Sequence, residues 1–100
     1  MTDILKSDIK NIIKGINKKD YSIEELVSHF IKKIDLLDKF NLVSEKTYDE
    51  AITLAKKADT KSMDERRPLE GIPIAVKDIF CTVGNKTSAS SNILKNFKAP

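Results

Sequence analysis

The nine residues from Leu69 to Lys77, Leu-Glu-Gly-Ile-Pro-Ile-Ala-Val-Lys, most constrain what this chain can fold into. Apolar side chains fall on consecutive rather than alternating positions, which suits a strand covered on both faces. Pro73 has no N–H to donate and belongs at a strand start, so the pattern predicts a strand over residues 73–77. One strand does not make a sheet. The chain before it reads as helix, so the strand needs partners that residues 1–100 do not supply. The expected fold class is α/β, as an incomplete domain of N-terminal helices plus a first core strand.

The helices are predicted over about residues 3–16, 22–39 and 45–58. In the first, Ile4, Leu5, Ile9, Ile12, Ile13 and Ile16 recur at helical spacing, and Gly15 and Asn17 supply a stop. The second has the clearest local grammar. Ser22 and Glu25 stand in capping-box register, and Tyr21 and Leu26 can form the hydrophobic staple around that cap. Leu26, Val27, Phe30, Ile31, Ile34 and Leu37 then make one apolar stripe. In the third, Thr47 has Glu50 in capping-box register, and Ile52, Leu54, Ala55 and Ala58 give a thin apolar face. Asn41 to Val43 reads as a short extended connector or small strand, Asp59 to Arg67 as a solvated loop, and Thr82 to Ser91 as a loop. Asn92 to Phe97 reads as a short apolar turn or helix.

Composition narrows the function by exclusion. With 40% hydrophobic and 33% charged residues, the chain is too apolar for a disordered segment and too charged for a membrane one. No stretch reaches the roughly 18 uninterrupted apolar residues of a spanning helix. Asp3, Lys6, Asp8 and Lys10 interrupt any signal-peptide core, so the cytoplasm or an organelle matrix is the expected location. A net charge of +3 from 18 basic and 15 acidic side chains is too small and too dispersed for a nucleic-acid footprint. Cys81 has no second cysteine, and His29 is the single histidine, so no metal site is expected. Cys81 is expected as a small, at least half-buried hydrophobe, and His29 as a boundary residue of its helix face.

Lys77 is the residue that can carry chemistry. An ammonium group at the end of an interior strand loses hydration, which favours the neutral amine, and a neutral lysine can serve as base for a hydroxyl nucleophile. Asp78 could orient or neutralise it. The residues alone leave open the plainer reading that Lys77 ends a strand and points into water.

The wording around Lys77 adds to this. Pro68 to Asp78, Pro-Leu-Glu-Gly-Ile-Pro-Ile-Ala-Val-Lys-Asp, closely resembles the first signature of the amidase-signature family, whose lysine belongs to a Ser–cisSer–Lys triad. Phe80-Cys81-Thr82, Gly84, Thr87-Ser88, Ser91, Ile93-Leu94 and Asn96-Phe97 resemble the tRNA-dependent amidotransferase branch of that family. The specific resemblance covers about a third of the chain. Ser88-Ala89-Ser90-Ser91 departs from the family's frequent Thr-Ala-Gly-Ser, and Asn85-Lys86 replaces residues that are often apolar.

The resemblance implies an α/β/α sandwich with a mixed sheet, in which residues 1–100 form the N-terminal part of a single amidase domain. It makes Lys77 the charge-relay base and places both serines beyond residue 100. Ser88, Ser90 and Ser91 then read as loop residues, although a substrate-side contact stays open for them. It implies glutamine hydrolysis that supplies ammonia for ATP-dependent amidation of misacylated Glu-tRNA(Gln), or Asp-tRNA(Asn). The implied partners are subunits B and C, with tRNA held mainly by B; ATP and Mg are used in the partner and no cofactor is bound by this segment. Two alternatives stand beside this: a free-standing amidase of the same family, and a non-enzymatic helical interaction module, which would not need Lys77.

Overall fold

The computed structural model describes residues 2–100. A 3-10 helix, Thr2–Lys6, precedes three α-helices: α1 (Ile9–Asn17), α2 (Ile23–Leu36) and α3 (Tyr48–Asp59). A single 3-10 turn, Asp38–Phe40, lies between α2 and α3, and two more, Met63–Glu65 and Asn92–Leu94, follow α3. The radius of gyration, 15.0 Å, exceeds the about 13 Å of a compact chain of this length. Much of the second half lies as irregular backbone outside the helical core.

The expected first helix is broken at Ser7 and Asp8. Asp8 is extended (φ −76°, ψ 165°) and its side chain accepts from the Asn11 N–H at 2.8 Å, so it starts α1 as an N-cap. The break resets the helical phase. Ile4, Ile12 and Ile16 are buried, but Ile9 is left exposed. Gly15 is not the stop either. A Cβ there would lie 2.3 Å from the Tyr21 hydroxyl, so Gly15 is a notch that seats the tyrosine. Tyr21 donates to the Ile12 carbonyl at 2.9 Å, and the chain turns away at Lys19, which adopts φ +60°.

α2 begins at the predicted cap. Ser22 accepts from the Glu25 N–H at 3.0 Å, and Glu25 accepts from the Ser22 N–H at 2.8 Å. It ends three residues earlier than residue 39, because Asp38–Phe40 tightens into a 3-10 turn and Asn41 takes a left-handed conformation (φ 51°). Ile23 and Leu26 are completely buried, each contributing roughly 1.5–3 kcal/mol of burial. The small side chains of Ala55 and Ala58 let α3 pack closely on α2. Leu54, expected on that face, is exposed instead.

α3 starts at Tyr48 rather than residue 45, and Thr47 makes no side-chain cap bond. Glu50, its expected capping partner, accepts instead from Asn85 Nδ2 at 3.1 Å. The solvated loop after α3 is more ordered than its composition suggests, since Glu65 reaches back to the Ser62 N–H at 2.8 Å and closes a 3-10 turn.

The predicted strand at 73–77 does not form. Among the described residues there is no β-strand; the only bridge pairs Lys86 with Lys98. A strand is defined by its neighbour's hydrogen bonds, and no described residue accepts from the N–H groups of residues 74–77. The chain as it stands is helical, and the α/β core is not seen. No helix of the described residues is long and apolar enough to cross a membrane.

Candidate functional site

The segment carrying Lys77 leaves the helical core at Gly71. There φ is +96°, a region open to glycine, and a Cβ would lie 2.7 Å from Ile23 Cδ1 and 2.9 Å from Cγ1. Gly71 therefore serves both conformation and space, bringing the signature backbone against the buried start of α2. Asp59, the last residue of α3, fixes that same helix start by accepting from the Ile23 and Glu24 N–H groups at 2.8 and 2.9 Å. Arg66 Nε donates to the Ala58 carbonyl at 3.2 Å.

Glu70 holds the other side of this exit. Lys61 Nζ lies 2.6 Å from its Oε1, and the Arg67 N–H donates to Oε2 at 3.0 Å. The Lys61 ammonium first, and the Arg67 N–H next, keep the Glu70 carboxyl below its ordinary range.

Beyond Ile72, which packs on the core, the run turns outward. Ile74 is 79% exposed and Val76 50%. Lys77 is exposed as well, so within this chain its side chain is not in the desolvated setting expected from the sequence. Its carbonyl accepts from the Phe80 N–H at 3.1 Å. Asp78, the candidate partner of Lys77, is engaged elsewhere. Its Oδ1 accepts from the Ser88 N–H at 2.9 Å, and its Oδ2 accepts a short hydrogen bond from the Ser88 hydroxyl. The Ser88 hydroxyl first, then the Ser88 N–H, hold the Asp78 carboxyl below its usual value, with smaller contributions from the Ser90 N–H and the Ser44 hydroxyl.

The loop after the signature is pinned in turn. Thr87, buried, donates its hydroxyl to the Phe80 carbonyl at 3.3 Å and its N–H to the Phe97 carbonyl at 3.1 Å. Lys86 donates its N–H to Glu45 at 3.0 Å, beside the Asn85–Glu50 bond. Asn85 thus reaches a carboxylate of α3 through its side chain, and Lys86 a carboxylate of the connector before α3 through its backbone. Ser91 Oγ accepts from the Ile93 N–H at 3.3 Å and caps the short Asn92–Leu94 turn. Ala89 and Ser90 both have positive φ, 48° and 59°. Cys81, expected at least half-buried, is exposed, because the residues around it face outward too. His29 sits on α2 with its ring roughly perpendicular to that of Phe30, and its Nε2 is buried without a hydrogen-bond partner among the described residues.

The family model described as Amidase matches residues 25–100, which includes this whole segment. The chain belongs to the amidase family. The A-type subunit of a glutamyl-tRNA(Gln) amidotransferase from Rickettsia bellii is 40% identical over 98 residues, covering 97% of this chain and 20% of that protein. The proteins of the same name from Ehrlichia canis and Moraxella catarrhalis are 41% identical over 100 residues and 39% over 102. They are covered to 20% and 21% of their lengths, against 97% and 100% of this chain. This amidase chain thus spans about a fifth of the length of the curated relatives it matches. No solved structure matches it.

Within the amidase segment, the sequence marks Lys77 through the wording around it. It does not mark the Asp78–Ser88 contact or the Asp59 cap. No motif links positions ten and thirty-six residues apart in sequence; an Asp or Ser within a polar stretch carries no local sign of its partner.

Proposed function

We propose that this chain is part of the A-type subunit of a glutamyl-tRNA(Gln) amidotransferase and that Lys77 is the charge-relay base of its glutaminase site. The observation that carries this reading is the identity near 40% along 97–100% of the chain to proteins of that name. The exposed Ile74 and Val76, beside a lysine and without ladder partners, are what the edge of an unfinished sheet presents. In the whole protein the 73–77 run pairs as the first core strand of an α/β/α sandwich and carries Lys77 into the interior.

There the Lys77 amine accepts a proton from a serine held in a cis peptide. That serine in turn takes the proton of a second serine as it attacks the glutamine carboxamide carbon. The C–N bond breaks, ammonia leaves with the returned proton, and water releases glutamate from the acyl-enzyme. Ammonia then amidates misacylated Glu-tRNA(Gln), or Asp-tRNA(Asn), on the B-type partner, where ATP and Mg act; the C-type partner completes the complex. The setting is the cytoplasm or an organelle matrix.

The test uses the full-length protein with both partner subunits. Lys77→Ala should abolish glutamine hydrolysis and glutamine-dependent amidation, while amidation from added ammonium salt persists. Unchanged glutaminase activity in Lys77→Ala would remove the catalytic assignment. Turnover of simple amides without tRNA or partners would instead favour a free-standing amidase.

A further inference from the structure

The Lys77 amine makes no hydrogen bond or ion pair with any described residue, so its position is set through its backbone. Four bonds fix that backbone from the far side. The Lys77 carbonyl accepts from Phe80, and the Asp78 carbonyl accepts from the Ala89 N–H at 2.8 Å. The Asp78 carboxylate takes both the N–H and the hydroxyl of Ser88. Phe80 is itself tied to buried Thr87. Residues 77–80 and 87–89 therefore form one rigid unit, closed mainly by Asp78 and Ser88.

We propose that Asp78 and Ser88 form a positioning clamp for Lys77, a role that rests on the reading of Lys77 as the catalytic base. A long, flexible side chain reaches a reacting hydroxyl only if its root is fixed, and a misplacement of about 1 Å can cost roughly a hundredfold in rate. The clamp also turns the Asp78 carboxylate toward Ser88 and away from the amine. A carboxylate paired with a lysine favours the charged ammonium, which cannot accept a proton. The Ser88 hydroxyl, donated to Asp78, is thereby assigned to positioning rather than to attack.

The experiment compares Ser88→Ala, Ser88→Thr, Asp78→Asn and Lys77→Ala in the full-length enzyme with its partner subunits. Each is assayed well below its thermal midpoint for kcat and KM on glutamine. Ser88→Ala should lower kcat about tenfold or more with KM for glutamine unchanged, and Ser88→Thr, which keeps the hydroxyl, should restore most of it. If Ser88→Ala does not fold, Asp78→Asn is read the same way, because it keeps Oδ1 for the Ser88 N–H and loses only the acceptor of the hydroxyl. Wild-type kcat in these variants, or a raised KM with kcat intact, overturns the clamp. Should Lys77→Ala stay fully active, the reading of the lysine fails first; an inactive Lys77→Ala beside a fully active Ser88→Ala removes the clamp alone.

Discussion

Asp59, at the end of α3, caps α2 through the N–H of Ile23 at 2.8 Å and that of Glu24 at 2.9 Å. The first turn of α2 is therefore capped twice, locally by Ser22 on Glu25 and from a distance by Asp59. Both carboxylate oxygens work at the positive end of the helix dipole. Asp59→Ala strands two donors at a part-buried helix start and should cost about 1–2 kcal/mol. Amide exchange at Ile23 and Glu24 should accelerate selectively, while Glu25, still held by Ser22, changes least. Equal acceleration along all of α2 would mean that Asp59 acts on global stability rather than as a cap.

Gly71 and Gly84 share a positive φ, +96° and +77°, but not the same surroundings. Alanine at Gly84 meets no heavy atom within 4 Å, so its cost is conformational alone, about 1–2 kcal/mol. Alanine at Gly71 adds a collision with the fully buried Ile23 and should cost about 2–4 kcal/mol. Denaturant midpoints of the two variants measure the difference. Equal shifts would show that the signature glycine is needed only for its backbone.

Ser90 occupies a left-handed position (φ 59°), a conformation that glycine adopts without steric cost. Ser90→Gly should stabilise by about 0.5–1 kcal/mol, the steric relief being partly offset by the wider freedom of glycine in the unfolded chain. A destabilising result would point to a side-chain role for Ser90 that its backbone does not require.

The difference between what can and cannot be read from the sequence follows from where each residue's partner lies. The α2 cap is legible because Ser22 and Glu25 complete each other within one turn. Asp8 reads as an interruption and is a cap; Gly15 reads as a stop and is a notch for Tyr21. Glu50 sits in register to cap α3 and is drawn off by Asn85, 35 residues away. Local grammar states which bonds are possible, and tertiary contact decides among them. Lys77 stands out by the wording around it; Asp78 and Ser88 lie within the same wording, but nothing in it pairs the one with the other.

Glu70 carries a pH dependence whose sign follows from its depressed carboxyl. The group lies below its ordinary 4.5 in the folded chain because Lys61 and the Arg67 N–H favour the charged form. Its contribution is present above the unfolded value and is lost as pH falls through the lower, folded one. Stability should therefore drop as pH is lowered from about 5, and Glu70→Gln should flatten part of that slope while leaving behaviour above about pH 6 parallel. Thermal midpoints taken across this range provide the comparison, and an unchanged acid slope in Glu70→Gln would mean that other carboxylates dominate it.

The run from Ile74 to Lys77 has the sequence of a strand and none of its bonds. The N–H groups of Ile74, Ala75, Val76 and Lys77 have no hydrogen-bond partner among the described residues, and Ile74, Val76 and Lys77 are exposed along with Ala75. In the 100-residue chain these amides should exchange nearly as fast as in an unfolded peptide, while Leu26 and Val27 exchange slowly. In the full-length amidase, pairing into a buried sheet should protect the same four amides by several orders of magnitude. Protection in the full-length protein alone would show that the strand is a property of the completed sheet. Slow exchange at 74–77 in both would mean that the segment finds its ladder within this chain. Fast exchange in both would take Lys77 out of the interior, and with it the physical basis for a neutral lysine base.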